Sequence, residues 1–325
     1  MLLILILVIL VLSLVLIKSA DVVVTSIIKI AKRSHVNKYA ISAVILAVGT
    51  SFPELFVSIT SAIEGNPRLA LGIVLGSNIA NISLVAGITA LITGKINVSR
   101  DFLRRDVSIA LVAGILPMIL LIDGSLGRID GLILLSIYLA YATSLFKARF
   151  TQIGERIERE NYIHRFLSKP VSIDKEKTKA FGQLFLGVAL MLFASDLIVN
   201  VSELLAESAR ISVFVIGLIV LAAGTSLPEF AFSLRSIDNK QPTMFFGNLL
   251  GSIIANSTLI IGVTALISPI AISVEHDYFL VSITFVALFL TFWYFIKSKF
   301  SLERWEAVFL LVIYLIFLIL QFVNV

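Results

Sequence analysis

Long apolar runs recur along nearly the whole chain, each closed by a short polar break before the next begins. A helix needs about 20 apolar residues to cross roughly 30 Å of hydrocarbon. On that measure we read ten spans, at 2–28, 39–62, 68–93, 107–122, 130–146, 181–200, 211–234, 243–267, 278–296 and 305–323. The runs are continuous in Leu, Ile and Val rather than alternating, so they predict helices and exclude the closed β-barrel, the other fold able to span a bilayer. The expected class is an all-α polytopic membrane protein. Only 147–180 is both long and polar. The first run starts at Met1 without a basic leader or a small-residue cleavage site, so a retained helix is expected rather than a removed signal peptide.

Composition agrees with the pattern. The chain is 58% hydrophobic and 14% charged, with mean hydropathy +1.03, which excludes a soluble domain. It has no cysteine, which removes disulfides, thiolate metal sites and cysteine nucleophiles. When the loops are counted alternately, 22 of the 26 Lys and Arg residues fall on one side, nine of them in 147–180. The other side holds Arg68, Arg128 and Arg210, and Lys18 lies inside the first run. The positive-inside rule makes the basic side cytoplasmic and leaves both termini outside. The net charge of +5 is then a consequence of topology and does not point to a nucleic-acid partner.

One phrase occurs twice. "AVGTSFPELFVS" at 47–58 returns as "AAGTSLPEFAFS" at 222–233, an offset of 175 residues. The same offset carries "GSNIAN" at 76–81 onto "GSIIAN" at 251–256, and Asp21 onto Asp196. Two five-helix halves are therefore expected, 1–146 and 181–325, joined by a cytoplasmic linker at 147–180. Five is odd, so the second half must enter the membrane upside down. Inverted repeats bring matching interrupted helices together near the bilayer midplane.

The repeated residues carry cation chemistry. Pro53 and Pro228 remove donors that the carbonyls of Gly49 and Gly224 would use, so each helix is expected to kink or break there. Thr50 and Glu54, Ser77 and Asn81, Thr225 and Glu229, and Ser252 and Asn256 are each four apart, so each pair shares a helix face. Gly76, Gly247, Gly251, Ala80 and Ala255 would let those helices approach closely. An ionised carboxylate at the bilayer centre costs at least about 2.5–3.5 kcal/mol, and a bound cation offsets that cost. The donors are oxygens only, with no His or Cys beside them, which suits Ca²⁺ or Na⁺ and not zinc or copper. Two carboxylates balance one Ca²⁺ or two Na⁺, so competition at one gated site, and hence antiport by alternating access, is the expected mechanism.

At these motifs the chain resembles the cation/calcium exchanger superfamily, in particular sodium/calcium exchangers of the prokaryotic type. The resemblance rests on "GTSFPEL" with "GSNIAN" and "GTSLPEF" with "GNLLGSIIAN". It implies three Na⁺ exchanged for one Ca²⁺, with Glu54 and Glu229 as shared carboxylates. It further implies ligands from Thr50 and Thr225 with Ser51 and Ser226 beside them, carbonyls of Ala47 and Ala222, and hydroxyls of Ser77 and Ser252. Asn81 and Asn256 would flank the centre, and the first and sixth helices would be a long, tilted, sliding pair. No cofactor is implied beyond the transported ions, and the partners are Ca²⁺, Na⁺ and the lipid bilayer of a plasma membrane, around a functional monomer. Two departures stand out. Several relatives carry an aspartate at one of the positions of Asn81 and Asn256, and Ile253 stands where the first half has Asn78.

The same residues admit other readings. A proton-coupled Ca²⁺ exchanger would use the same glutamates, a cation channel the same ligands, and an intramembrane protease paired acids. The last is disfavoured because no His or other catalytic partner stands beside the glutamates. Asp21 and Asp196 are expected near helix ends in structural roles, and Arg235 is expected to snorkel to the cytoplasmic surface. His35, His164 and His276 are expected in loops. The linker is read as a tether with a short amphipathic helix, too short for a folded calcium-sensing domain.

Overall fold

The computed structural model describes residues 1–33, 49–97, 100–153, 175–272 and 276–323. Ala47, His35, His164, the first part of the 39–62 span and the proposed amphipathic helix of the linker lie outside the described residues. Helices dominate. They begin with α1 (Leu2–Arg33), α2 (Phe52–Ile63), α3 (Pro67–Ala80), α4 (Ala86–Thr93), α5 (Arg100–Leu120) and α6 (Arg128–Ile153). The second half holds α7 (Lys175–Ala209), α8 (Val213–Ile216), α9 (Ala222–Thr225), α10 (Leu227–Asp238), α11 (Pro242–Ile254), α12 (Ile261–Ile267), α13 (His276–Lys299) and α14 (Arg304–Val323). Among the described residues seven continuous helical stretches are long and apolar enough to cross a membrane, and Phe52–Ile63 and Val107–Asp123 are shorter apolar helices.

Three of the long stretches are continuous only because π turns join their parts. Asn81–Val85 joins α3 to α4, Gly217–Leu221 joins α8 to α9, and Ala255–Ile260 joins α11 to α12. A π turn inserts an extra residue, widens the coil and re-aims the side chains that follow it, and such turns occur frequently at functional sites. Asn81 and Asn256 each lie within one.

Burial sorts the helices into centre and periphery. In Pro67–Thr93 94% of the apolar window is enclosed by protein, and in Pro242–Ile267 78%, against 22% for α1 and 33% for α7. The helices carrying the repeated Gly-Ser motifs are thus the core. In lipid, packing and close approach rather than the hydrophobic effect hold such helices together. A Cβ on Gly72 would stand 2.2 Å from the Phe214 carbonyl oxygen, and one on Gly217 2.5 Å from that of Leu69. Gly76 is tighter still, 2.1 Å from the Leu218 oxygen. Around Gly247 and Gly251, by contrast, no atom among the described residues beyond the chain neighbours and the helix's own backbone lies within 4 Å of such a Cβ.

The two longest helices, α1 with 32 residues and α7 with 35, pack along each other. Ile9, Leu16, Met191, Ala194 and Ile198 fill their seam and reach Leu69, Ile73 and Leu221 of the core. Gly187 lets the two backbones approach, since a Cβ there would meet Val23 at 2.8 Å and the Ser19 oxygen at 3.2 Å. Both helices outrun their predicted spans. Asp21 and Asp196, expected near helix ends, are therefore interior to α1 and α7, where both are exposed. His276, expected in a loop, is the first residue of α13.

Among the described residues four strands of two or three residues close the helix ends, an addition to the all-helical expectation. β1 (Lys95–Asn97) pairs with β4 (Ser301–Glu303), and β2 (Ser125–Leu126) pairs with β3 (Ile270–Ala271), both antiparallel. An offset of 175 residues carries the start of β1 onto β3 and β2 onto the start of β4. It also carries the turn at Gly65 (φ 84°) onto Lys240 (φ 58°). The Asn66 N–H to Ser61 oxygen bond matches that from Gln241 to Ser236, both 2.8 Å. The sequence repeat is thus also a repeat of turns, caps and pairings.

Candidate cation site

The conserved spacing of Thr, Ser, Pro and Glu within the chain's two copies dictates the local break. After α9 the backbone leaves the helix at Ser226 (φ −80°, ψ 0°) and re-enters it at Leu227, with Pro228 in the first turn of α10. Pro has no N–H to continue the ladder, and its fixed φ suits a first turn. Ser51 (φ −90°, ψ 7°) does the same before α2, with Pro53 in its first turn. Glu54 and Glu229 consequently sit in the opening turns of two helices. There the unpaired N–H groups favour negative charge.

Both glutamates are fully buried. Thr225 adjoins Glu54, and Thr50 adjoins Glu229. Each threonine thus crosses to the carboxylate of the other half. Thr50 Oγ1 donates to Asn248 Oδ1 at 3.2 Å and lies 3.5 Å from Ser252 Oγ. The matching contact in the other copy is Ser77 to Thr225 at 3.4 Å. Ser252 donates to Glu229 Oε1 at 3.4 Å.

Many oxygens of this cluster remain without a hydrogen-bond partner: both of Glu54, Oε2 of Glu229, the hydroxyls of Ser51 and Ser226, and Oδ1 of Asn81 and Asn256. Buried polar groups in folded proteins are nearly always satisfied. A concentration of lone acceptors around two carboxylates is the donor set of a hard cation, which takes carboxylate, amide and hydroxyl oxygen. Ala222 is buried, and its carbonyl also accepts from Ser226 N–H at 3.1 Å, leaving one lone pair. Of the residues singled out from sequence, hydrogen-bond contacts join Thr50 to Ser252, Ser252 to Glu229 and Ser77 to Thr225, while Ser51, Glu54, Asn81, Ala222, Ser226 and Asn256 are buried. Among the described residues no three of His, Cys, Asp and Glu gather as a metal cluster, so two carboxylates and neutral oxygens are what the centre offers.

Two further asparagines join this hydrogen-bond network. Asn248 holds Thr50, and Asn78 bonds both Asn256 and Ser257. Their partners at the 175-residue offset are Ile73 and Ile253, so each half contributes one asparagine where the other is apolar. The signal lies in those mismatches: that of Asn78 with Ile253 stands out in the sequence, whereas that of Asn248 with Ile73 does not.

A bundle of membrane-length helices with two fully buried carboxylates and lone oxygens in its core defines a membrane cation transporter. The family model described as "Sodium/calcium exchanger protein" matches the chain twice, over residues 4–147 and 179–323. The chain belongs to the sodium/calcium exchanger family, whose members are ion antiporters that carry ions as substrates and need no cofactor. Among relatives, it is 32% identical to the inner membrane protein YrbG of Escherichia coli, over 85% of each chain. It is 28% identical to the sodium/calcium exchanger MaX1 of Methanosarcina acetivorans, over 94% of this chain and 95% of that one. The solved sodium-calcium exchanger NCX_Mj superposes with a TM-score of 0.61 at 27% identity, covering 97% of this chain and 98% of that one. The protein is therefore a multi-pass membrane exchanger for cations including calcium.

Two outcomes follow from the geometry. Thr225→Val removes a hydroxyl beside Glu54 without changing side-chain shape, and is expected to weaken Ca²⁺ binding about tenfold, measured by ⁴⁵Ca²⁺ binding to purified protein. The second concerns the turn between α2 and α3. There Asn66 Nδ2 donates to Glu203 of α7. Burial first, then a hydrogen bond with Asp196 and repulsion from Asp196 and Glu203, pushes Glu64 from 4.5 up to about 7. A raised carboxyl pKa favours the docked turn while the proton is held. Docking strength is full below pH 4.5, declines as pH rises towards 7 and stays low above it. Hydrogen exchange of residues 61–67 should accelerate over that interval beyond its intrinsic pH dependence, and the extra acceleration should vanish in Glu64→Gln.

Proposed function

We propose that the protein is a sodium-driven calcium antiporter in which Ca²⁺ and Na⁺ compete for one central site made by Glu54 and Glu229. The observation that carries this is the pair of fully buried carboxylates, one from each half, surrounded by oxygens without partners. Thr50, Thr225, Ser51, Ser226, Ser77, Ser252, Asn81, Asn256 and the carbonyls of Ala47 and Ala222 complete the ligand set for one Ca²⁺ or for up to three Na⁺. Because one ion's occupancy uses the charge that the other needs, neither can be carried with the other, and exchange becomes obligatory.

The architecture behind this is ten membrane helices in two inverted repeats, 1–146 and 181–325, around the linker 147–180. The double match of one family model supports the division, and the matched turns and strand pairings support a two-fold relation. The distribution of Lys and Arg supports cytoplasmic linkage and external termini in a plasma membrane. A single chain holds both halves of the site, so a monomer suffices. Access alternates as α1 and α7, joined to each other and touching the core through a separate apolar seam, slide past it.

The test is ⁴⁵Ca²⁺ uptake into proteoliposomes loaded with Na⁺ and diluted into Na⁺-free buffer, beside K⁺-loaded vesicles and vesicles with an imposed pH gradient. Uptake that requires internal Na⁺ is the expected result. Uptake that follows the pH gradient alone would replace Na⁺ by protons as the coupling ion.

A further inference from the structure

Asn256 and Asn81 are counterparts at the 175-residue offset, yet their surroundings differ. Both are buried, and both begin or lie within a π turn. Neither side-chain atom of Asn81 has a partner. Asn256 instead donates from Nδ2 to Asn78 Oδ1 at 3.2 Å, and Asn78 in turn donates from its own Nδ2 to Ser257 Oγ at 2.7 Å. Asn78 is wholly buried and reaches from the first half into the second. The offset places Ile253 at the corresponding point of the second half, so no equivalent arm can hold Asn81.

The consequence is one of orientation. An asparagine amide presents an acceptor on one side and two donors on the other. Towards a cation only the oxygen attracts, and a half-turn about the last side-chain bond would bring the amino group there instead. With Nδ2 of Asn256 engaged by Asn78, the unpartnered Oδ1 is the atom left over.

We propose that Asn78 is a positioning residue that locks the Asn256 amide with its oxygen towards the transported ions, making the two flanking amides inequivalent. This rests on the reading of Asn256 as a ligand. Partners that orient a metal's ligands typically contribute about 10–100-fold to affinity. Asn78 acts only through Asn256, so its influence depends on the side chain at 256 having two unlike ends.

That dependence supplies the experiment. Ca²⁺ uptake is measured in Na⁺-loaded proteoliposomes for the wild type, Asn78→Leu, Asn256→Asp, the double variant Asn78→Leu/Asn256→Asp and Asn256→Ala, each matched for gel-filtration profile. Leu copies the shape of Asn without its hydrogen bonds, and a carboxylate presents an oxygen whichever way it turns. Asn78→Leu should raise the half-saturating Ca²⁺ concentration about tenfold, with maximal rate little changed. In the Asn256→Asp background the same substitution should change it less than about twofold. Asn78→Ser, which shortens the arm without grafting an apolar group, serves in the same two backgrounds if the Leu variant does not fold. An unchanged half-saturation in Asn78→Leu, or an equal increase in both backgrounds, overturns the proposal. Unchanged half-saturation in Asn256→Ala would instead overturn the ligand reading on which it rests, a result distinguishable from failure at Asn78.

Discussion

Glu54→Gln is expected to lower Na⁺-dependent Ca²⁺ uptake by at least about 100-fold while the purified protein elutes as the wild type does. Gln keeps the shape and one oxygen but removes the charge that balances the ion. Removing one charge from a buried, desolvated pair typically costs about 2–5 kcal/mol, since the other charge is left uncompensated. Here the ion is that other charge, and neither Glu54 oxygen has a protein partner whose loss would unfold the site. Glu229→Gln should do the same, with Ser252 also losing its charged acceptor. The neutral amides at 78, 81, 248 and 256 supply dipoles but no charge, so none can substitute. Uptake above about a tenth of wild type in either variant, in folded protein, would remove that carboxylate from the ion path.

The second large effect is on assembly. Gly76→Ala would put a methyl group 2.1 Å from the Leu218 carbonyl oxygen and 2.6 Å from Ala222 Cβ. Neither neighbour is the end of a flexible chain, since Leu218 belongs to the π turn Gly217–Leu221 and Ala222 begins α9. The helices must separate, and overpacking of this kind typically costs about 1–3 kcal/mol or more. Thermal unfolding in detergent should shift down by several degrees, and transport should fall with it because Ser77 and Thr225 are carried apart. An unchanged unfolding temperature would mean that α3 and α9 are less tightly joined than the geometry indicates.

Much of this organisation is legible in the sequence because hydrocarbon imposes a simple code. Apolar runs mark helices, and the described helices occupy the runs that hydropathy picks out. The duplicated "GTS-x-PE" with its prolines also foretells the breaks at Ser51 and Ser226, since proline acts on the backbone alone. Boundaries were less readable. α7 begins at Lys175 and ends at Ala209, well beyond the predicted 181–200. Its ends carry Lys and Glu, which a hydropathy scan discards although long charged side chains extend from helix ends to the interface. The same bias put Asp21 and Asp196 at helix termini when they are interior.

The π turns left no such mark. "NISLV" and "ANSTLI" are ordinary helix-compatible strings, and the extra residue is accommodated by packing against other helices. Asn78 is legible in the sequence only as a mismatch with Ile253, and Asn248 is not picked out at all. A repeat is found through identities, whereas these two residues matter as differences, each paired with an isoleucine in the other half. Their partners are more than 170 residues away, and only the folded contact reveals them.

In the proposed mechanism Na⁺ and Ca²⁺ exclude one another from a single site held by Glu54 and Glu229. Equilibrium ⁴⁵Ca²⁺ binding to the purified protein across a range of Na⁺ concentrations tests it most directly. One Ca²⁺ per chain, displaced by Na⁺ with a Hill coefficient above 1, is the expected result, with no saturable binding in Glu54→Gln or Glu229→Gln. Calcium binding that is indifferent to Na⁺, or that survives in either variant, would contradict it.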